Sequence, residues 1–201
     1  MLRLESTIMG RIARTAWSLL ILGVVAFLVS CVDQGREALA QGLDLEGNAV
    51  DVLGDGNVTV LVFVRSDCPI ANRYAPELSR LNTAFASRGV DLRLVYPDAN
   101  ASAGTVRAHM ADFGLSLTPV LDPQHRLVRE LGMTISPEAA VLDRNGRLVY
   151  RGRIDDRSPA VGINREPRER DLENAILAVL EGHVDRLTTS PAVGCYLSDL
   201  P

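Results

Sequence analysis

The feature that most constrains this chain is a run of apolar residues that ends at a cysteine and a proline. Residues 58–64, VTVLVFV, are almost all β-branched or otherwise apolar, which is typical of a strand buried on both faces of a sheet. Pro69 suits the first position of a helix, where its missing N–H costs nothing. The sequence therefore predicts that Cys68 lies in the turn between a strand and a helix over residues 70–87.

A cysteine at the start of a helix is suited to redox chemistry. The first backbone N–H groups of a helix have no partner within it, and the helix dipole stabilises negative charge at that end. Both effects favour the thiolate of Cys68, the reactive form of a cysteine. We therefore expect Cys68 to be a redox-active nucleophile.

The rest of the chain alternates between strand and helix patterns. Besides the strand at 58–64, the sequence predicts strands at 49–53, at 91–96 and near 120, and helices at 103–113, 126–131 and 169–180. This alternation predicts a sheet with parallel strands and right-handed crossovers.

The clearest local prediction is a hairpin over residues 139–153. Asn145-Gly146 separates two apolar segments and indicates a type I′ turn. Residues 155–170 are rich in Arg, Asp and Pro, so they are predicted to form a surface loop, with Asp155 and Asp156 as polar loop residues.

Two motifs resemble the thioredoxin-like superfamily, specifically its redoxin or thiol-specific-antioxidant branch. In DCPIANRYAPEL, residues 67–78, Pro76 matches the proline that kinks the corresponding helix. In SPEAAVLDRNGRLVYRGRID, residues 136–155, Pro137 matches a cis proline that faces the cysteine. The resemblance spans residues 43–182. It implies an α/β fold, a thioredoxin-like three-layer α/β/α sandwich with a central mixed sheet.

Departures from the superfamily pattern narrow the chemistry. Ala71 stands where ordinary thioredoxins carry their second cysteine, so no local dithiol can form. Arg65 stands where peroxidatic redoxins carry Thr or Ser, which weakens a peroxidase assignment. Asn72 stands where the redoxin-like copper chaperones carry a second cysteine, and the three histidines show no ligand spacing. The sequence therefore predicts neither a metal site nor a cofactor.

Residues close to Cys68 and Pro137 in the sequence are candidates for binding substrate. Ser136 would supply the backbone that pairs with an extended peptide. Arg65 is a nearby cation that would favour the thiolate, and Asn72, one turn after Cys68, would hydrogen-bond a substrate or the sulfur. An ordinary exposed position explains Arg65 and Asn72 equally well at this stage.

Two other residues near the cysteine have simpler interpretations. Tyr74 is interpreted as a packing residue and Glu77 as a surface group.

The first thirty residues predict a secretory signal. Arg11 and Arg14 precede an apolar run at residues 16–29, which is shorter than the roughly 20 residues of a membrane-spanning helix and suits a signal-peptide core. Residues 28–31, LVSC, resemble the lipobox of a bacterial lipoprotein. A signal anchor with an incidental cysteine is the alternative.

Cleavage before Cys31 would leave a diacylated cysteine at the new N-terminus. The predicted organisation is then a signal peptide over 1–30, a tether over 31–42, a redoxin domain over 43–185 and a tail over 186–201. The protein would be anchored by lipid to a bacterial membrane in the cell envelope, facing the periplasm or the exterior.

Cys195 is a candidate resolving partner for Cys68. Lipidation of Cys31 would leave these two as the remaining thiols, in a compartment where disulfides form. Gly194 would let the tail bend back tightly. A disulfide needs Cα atoms less than about 7 Å apart, and the sequence does not fix that separation. A free tail thiol is the alternative.

The overall charge gives no sign of nucleic-acid binding. The chain of 201 residues has a net charge of −4, 47% hydrophobic and 23% charged residues, which fits one globular domain without a basic footprint.

Three hypotheses remain open. The first is a membrane-tethered thiol-disulfide oxidoreductase that acts on a protein thiol, a disulfide or a peroxide and depends on an external thiol reductant. The second is a monothiol peroxidase. The third is a non-catalytic lipoprotein that uses the groove between Cys68 and Pro137 to bind an extended peptide.

Overall fold

The computed structural model describes residues 41–54, 57–184, 187 and 189–197. The predicted signal peptide and Cys31 lie outside the described residues. Within the described part of the chain, no helix has the length and apolar character needed to cross a membrane.

The strands and helices follow one another in nearly the predicted order. The strands are β1 (Gly42–Leu43), β2 (Ala49–Val50), β3 (Val58–Phe63), β4 (Val90–Tyr96), β5 (Thr118–Leu121), β6 (Ile135–Ser136), β7 (Glu138–Leu142), β8 (Leu148–Gly152) and β9 (Cys195–Tyr196). The α-helices are α1 (Pro69–Arg73), α2 (Ala75–Phe85), α3 (Ala103–Asp112), α4 (Arg126–Leu131) and α5 (Asp171–Glu181), and a 3₁₀ turn, Ala86–Arg88, follows α2.

Seven strands form one mixed sheet in the order β2-β1-β5-β4-β3-β7-β8. β3, β4 and β5 are parallel neighbours, whereas β7 is antiparallel to both β3 and β8. β6 and β9 form a separate antiparallel pair. The predicted central mixed sheet is therefore confirmed, and β3, which leads to Cys68, lies in its interior.

Helices cover both faces of this sheet. Successive side chains of β3 point to opposite sides and are all apolar or buried, so both faces need a packing partner. Val60 and Val62 belong to one apolar cluster with residues of α2, α3 and α5. Leu61 and Phe63 belong to a second cluster with Leu127 and other residues of α4. The two clusters join the sheet to helices on either side, which gives the predicted three-layer sandwich.

The helix after Cys68 is interrupted at Tyr74, between α1 and α2. Pro76 has no N–H, so it cannot donate the helical hydrogen bond to the carbonyl of Asn72. The interruption agrees with the kink that the resemblance implied at Pro76.

The hairpin of β7 and β8 is confirmed, but its predicted turn type is wrong. Gly146 has a φ of 81°, whereas among the described residues His125 is the only non-glycine with a positive φ. A type I′ turn would need a positive φ at Asn145 as well. The Asp143 carboxylate instead accepts hydrogen bonds from the N–H groups of Asn145 and Arg147. These bonds hold a turn over residues 143–146 that ends in a left-handed glycine.

The loop that follows β8 is not simply a surface loop. Asp155 and Asp156 are both buried. Hydrogen bonds from the N–H groups of Glu169 and Arg168, together with the Arg165 guanidinium, lower the pKa of Asp156 to about 2. The buried Asp156 carboxylate therefore holds the loop together by hydrogen bonds, which corrects its interpretation as a residue of a simple surface loop.

Glu77 is likewise buried and not a surface group. Its carboxylate lies 2.7 Å from Arg80, 2.9 Å from Arg170 and 3.7 Å from Arg157. Burial raises the pKa of Glu77, but these arginines outweigh that effect and lower it. The ion pairs join α2 to the loop before α5.

Candidate active site

Cys68 lies at the junction between β3 and the helices, where the sequence places it. It is the N-cap residue of α1, with φ −86° and ψ 109°, and it is 0% exposed. Its carbonyl accepts the N–H of Asn72 at 3.0 Å, and its own N–H donates to the carbonyl of Arg65 at 3.2 Å. These backbone hydrogen bonds hold Cys68 at the start of α1, with its side chain buried.

The Ser136–Pro137 peptide bond is cis and lies against Cys68. The Cys68 thiol donates to the carbonyl oxygen of Ser136 at 3.2 Å. The hydroxyl of Ser136 accepts the N–H of Arg65 at 2.8 Å, so the segments 65–68 and 136–137 are joined at two points.

The structure brings Cys195 onto Cys68. The two cysteines are reduced, and the Cys195 thiol donates to the Cys68 sulfur with 2.7 Å between the Sγ atoms. Burial and this hydrogen bond raise the pKa of Cys195 to about 11. Cys195 therefore stays protonated at neutral pH while it contacts the sulfur it would attack.

Arg65 links the cysteine turn to the C-terminal segment. Its guanidinium pairs with Asp67 at 2.9 Å and donates to the carbonyl of Tyr196, also at 2.9 Å. The hydrogen bond from Arg65 is the main reason that the pKa of Asp67 is lowered. The negative charge of Asp67, which the sequence alone places beside the thiol, is thus balanced by Arg65.

Asn72 contacts the turn that carries Cys68. Its amide nitrogen donates to the carbonyl of Ser66 at 3.0 Å, and its amide oxygen lies 2.9 Å from Nε2 of His109. These two hydrogen bonds of Asn72 therefore support the turn and do not involve the sulfur. Asn72 also lines a cavity of about 440 Å³ beside α1, together with Arg73 and Arg157.

His109 extends this contact into the core and is a residue that the sequence analysis misses. Because the Asn72 oxygen can only accept, Nε2 of His109 carries the proton and Nδ1 accepts from the hydroxyl of Tyr96 at 3.0 Å. Burial lowers the pKa of His109. Its place on α3 gave no motif to find, since its partners come from β4 and α1.

Tyr74 packs beneath the same region and also makes a polar contact. Its hydroxyl donates to the Asp155 carboxylate at 2.8 Å, and the Arg157 guanidinium lies 4.6 Å from its ring centre. Burial, assisted by Asp155, raises the pKa of Tyr74. This interaction ties the helix after Cys68 to the loop after β8.

The predicted site residues fall into two groups. The first group lies around the Cys68 sulfur and comprises Cys68, Cys195, Ser136, Pro137 and Arg65. Asn72 forms the second group, because it contacts the turn before Cys68 and not the sulfur. The structure adds three residues of the tail contact that the sequence analysis did not consider, namely Thr134, Tyr196 and Leu197. In the described residues, no group of three or more His, Cys, Asp or Glu side chains could hold a metal ion.

Comparison with known proteins agrees with this architecture. The model of the Redoxin family matches residues 33–174 of the chain. A thiol-disulfide oxidoreductase, ResA, of Halalkalibacterium halodurans is 26% identical over 107 residues, which are 53% of this chain and 60% of that protein. The matched region therefore covers less than two thirds of the curated relative.

Solved structures show the same fold. A hypothetical protein of Sinorhizobium meliloti 1021 is 25% identical and superposes with a TM-score of 0.69, covering 81% of this chain and 91% of its own. A protein of Chlorobium tepidum assigned as the thiol:disulfide interchange protein DsbE is 24% identical, with a TM-score of 0.55 and coverage of 74% and 98%. The thioredoxin-like α/β fold is thus established for this chain.

Proposed function

This chain belongs to the Redoxin family, and we propose that it is a membrane-tethered, extracytoplasmic thiol-disulfide oxidoreductase in which Cys68 is the nucleophile and Cys195 the resolving cysteine. The observation that carries the proposal is the 2.7 Å contact between the two sulfur atoms. The similarity to ResA supports the same class of reaction.

In the first step, the Cys68 sulfur attacks a substrate disulfide. A bond forms between Cys68 and one substrate sulfur, the substrate S–S bond breaks, and the other sulfur leaves with the proton that Cys68 gives up. In the second step, Cys195 attacks Cys68 and releases the first substrate sulfur as a thiol. The protein loses two electrons and two protons, and the substrate disulfide becomes two thiols. An external thiol reductant then restores the reduced pair.

The surrounding residues have distinct roles in this scheme. Ser136 and Pro137 form the wall against the Cys68 sulfur, and the Ser136 carbonyl orients the thiol. Arg65 balances Asp67 and holds the Tyr196 carbonyl, so it positions Cys195. Asn72 supports the turn through Ser66, and its exposure to the neighbouring cavity is compatible with substrate contact.

The dithiol scheme is favoured over a monothiol peroxidase because a second thiol already contacts Cys68. If peroxide were the oxidant, the same contact would place Cys195 to condense with a sulfenic acid on Cys68 and release water.

The proposed location depends on Cys31. Residues 1–30 have the composition of a signal peptide, and the lipobox-like residues 28–31 would direct lipidation of Cys31. The domain would then be attached to a membrane outside the cytoplasm, where a reversible disulfide can operate.

The proposal is tested by a redox titration of the full-length protein in detergent. Samples equilibrated in defined thiol-disulfide buffers are quenched in acid, denatured and alkylated, and Cys68 and Cys195 are followed separately by peptide mass spectrometry. We expect both to lose reactivity together, with a two-electron midpoint at which a tenfold change in buffer ratio corresponds to about 30 mV. The Cys195→Ser variant is the control, because its Cys68 cannot form the internal disulfide.

Two outcomes would contradict the proposal. Addition of oxygen to Cys68 after peroxide treatment, with Cys195 still free, would indicate a monothiol peroxidase. A Cys68 that stays reduced in every buffer would indicate a peptide-binding module.

A further inference from the structure

The C-terminal segment occupies the strand edge beside the cis proline. β9 pairs antiparallel with β6, with Ser136 opposite Cys195 and Ile135 opposite Tyr196. Ser136 is the residue whose backbone would pair with an extended peptide substrate. A strand edge binds one strand at a time, so the chain's own tail fills the place that a polypeptide substrate would need.

Two contacts fasten the tail to this edge. The N–H of Leu197 donates to the carbonyl of Thr134 at 2.9 Å, and its side chain is 2% exposed in the second apolar cluster. The guanidinium of Arg65 holds the carbonyl of Tyr196, whose side chain is 61% exposed. The segment is therefore anchored by one buried leucine and by backbone hydrogen bonds, while its outer face is open to solvent.

Gly194 permits the close approach of the tail. A Cβ atom at this position would overlap with the carbonyl oxygen of Ser136, so no larger residue fits without displacing the strand. The overlap involves backbone atoms and cannot be relieved by a side-chain rotation. Any side chain at position 194 therefore opposes the pairing of β9 with β6.

The tail also covers the nucleophile. Cys68 is 0% exposed, and Cys195 lies directly against its sulfur. A substrate disulfide must approach that sulfur within bonding distance. In this structure, Cys195 of the tail occupies that position.

We propose that residues 194–197 are a displaceable internal strand that mimics the substrate, and that a polypeptide disulfide must exchange with this strand on β6 to reach Cys68. The exchange step rests on the proposed oxidoreductase function. The incoming strand pairs with Ser136, and Cys68 forms a mixed disulfide with one of its sulfurs while the other leaves as a thiol. When the tail returns, Cys195 attacks Cys68, the internal disulfide forms, and the substrate departs as a second thiol.

The tail also indicates which polypeptides fit. A substrate that takes the same register has a small residue immediately before its reacting cysteine, because a Cβ there would overlap with the carbonyl oxygen of Ser136, as it would at Gly194. It has an apolar residue two positions after that cysteine, where Leu197 enters the second cluster. The surface is thus suited to an extended Gly-Cys-X-Leu type of segment.

The test is the rate at which Cys68 is alkylated by a small thiol reagent in the native, reduced, full-length protein, read by peptide mass spectrometry. In the Gly194→Ala variant we expect labelling of Cys68 to be at least about fivefold faster, since overpacking of a close backbone contact shifts the equilibrium from the paired to the released tail by about that factor or more. Gly104→Ala is the matched control, because a Cβ on Gly104 in α3 meets its nearest atom, Oγ of Ser102, at 3.7 Å.

A second pair of variants guards against a misfolded Gly194→Ala protein. Leu197→Ala removes the buried anchor and is expected to accelerate labelling as well, whereas Leu148→Ala, at a side chain 39% exposed, is expected to leave the rate unchanged. Equal Cys68 rates in the wild type and in the two tail variants would overturn the proposal. Acceleration by the control variants to the same extent would also overturn it, because it would indicate general loosening.

This result is independent of the redox titration. The titration reads denatured samples, so it reports whether the disulfide forms. Native labelling reports whether the tail covers Cys68. A protein that forms the disulfide but shows no effect of the tail variants would keep the oxidoreductase function and lose the substrate-mimic strand.

Discussion

The sulfur atoms of Cys68 and Cys195 lie 2.7 Å apart although the two cysteines are 127 positions apart in the chain. Ordinary thioredoxins place both cysteines on one helix, but here position 71 is an alanine. The second thiol is instead delivered by a strand pair, β6 and β9, next to the cis proline. The pairing of that tail thus places the second thiol against the buried sulfur of Cys68.

The Cys195→Ser variant is expected to trap the first covalent intermediate. Without the resolving thiol, the mixed disulfide between Cys68 and a substrate has no internal route to release. Intact-protein mass spectrometry after incubation with oxidised glutathione should show one stable glutathione adduct, located on Cys68 by peptide mapping. Cys68→Ser should show no such adduct at position 195. Repeated turnover by Cys195→Ser without an adduct would remove Cys195 from the mechanism.

The rate of internal disulfide formation is expected to rise with pH over an unusually wide range. Attack requires the Cys195 thiolate once the tail has returned to its paired position, where burial raises the pKa of Cys195; in the resting pair, burial and the contact with Cys68 raise that pKa to about 11. Below that value the thiolate fraction increases about tenfold per pH unit, whereas an ordinary thiol levels off above its pKa of about 8.5. Stopped-flow measurement of the second step from pH 7 to 10 checks this, and a plateau below pH 9 would contradict it.

Removal of the Tyr74 hydroxyl is expected to destabilise the fold. Tyr74 is buried and donates to Asp155 at 2.8 Å, and a hydrogen bond to a charged group contributes about 1.5–3 kcal/mol. Urea denaturation of Tyr74→Phe should therefore show a loss in the free energy of unfolding of about that size. Tyr196→Phe, at an exposed ring, is the control and should change it by less than about 0.5 kcal/mol. Similar small effects in both variants would mean that the Asp155 contact contributes little.

His109 is expected to make the protein less stable in mild acid. Because burial lowers its folded-state pKa below 6.5, the unfolded chain takes up the proton first as the pH falls. Its contribution to the free energy of unfolding is present above pH 6.5 and is lost below it, by at most about 1.4 kcal/mol per pH unit. Urea denaturation between pH 7.5 and 5 should show a smaller acid loss in His109→Gln than in the wild type. His183→Gln, at an exposed side chain, should behave like the wild type.

Much of the fold follows from local patterns. The buried strand before Cys68, the alternation of strands and helices and the position of the hairpin all depend on periodicity within about ten residues. The turn type at Asn145-Gly146 was wrong because the Asp143 side chain, and not the dipeptide, decides the backbone there. Asp155 looks exposed in the sequence because its buried partner, Tyr74, comes from a distant segment. Asp156 looks exposed because its partners, Arg168 and Glu169, lie in the same polar loop.

The part of the site that depends on local sequence, Cys68 at the start of a helix, could be predicted. A cysteine count and an oxidising compartment suggest a partner for Cys68, but the distance between the sulfurs depends on the pairing of the tail with β6. β9 has two residues, too few to show any periodicity. His109 was missed because its hydrogen bonds are to Asn72 and Tyr96, far away in the sequence, and its own position in α3 belongs to no motif.

The membrane anchor is tested through Cys31, which lies outside the described residues. If residues 28–31 act as a lipobox, lipidation takes place on the Cys31 side chain and nowhere else in the chain. A bacterial culture that expresses the full-length protein and is fed a labelled fatty acid should incorporate the label into the wild type and carry the protein in the membrane fraction. Cys31→Ser should lose the label, whereas Cys195→Ser, which also removes one cysteine, should keep it. Label retained in Cys31→Ser, or absent from the wild type, would mean that the tether is not a lipid on Cys31, while the dithiol chemistry of Cys68 and Cys195 would still stand on its own titration.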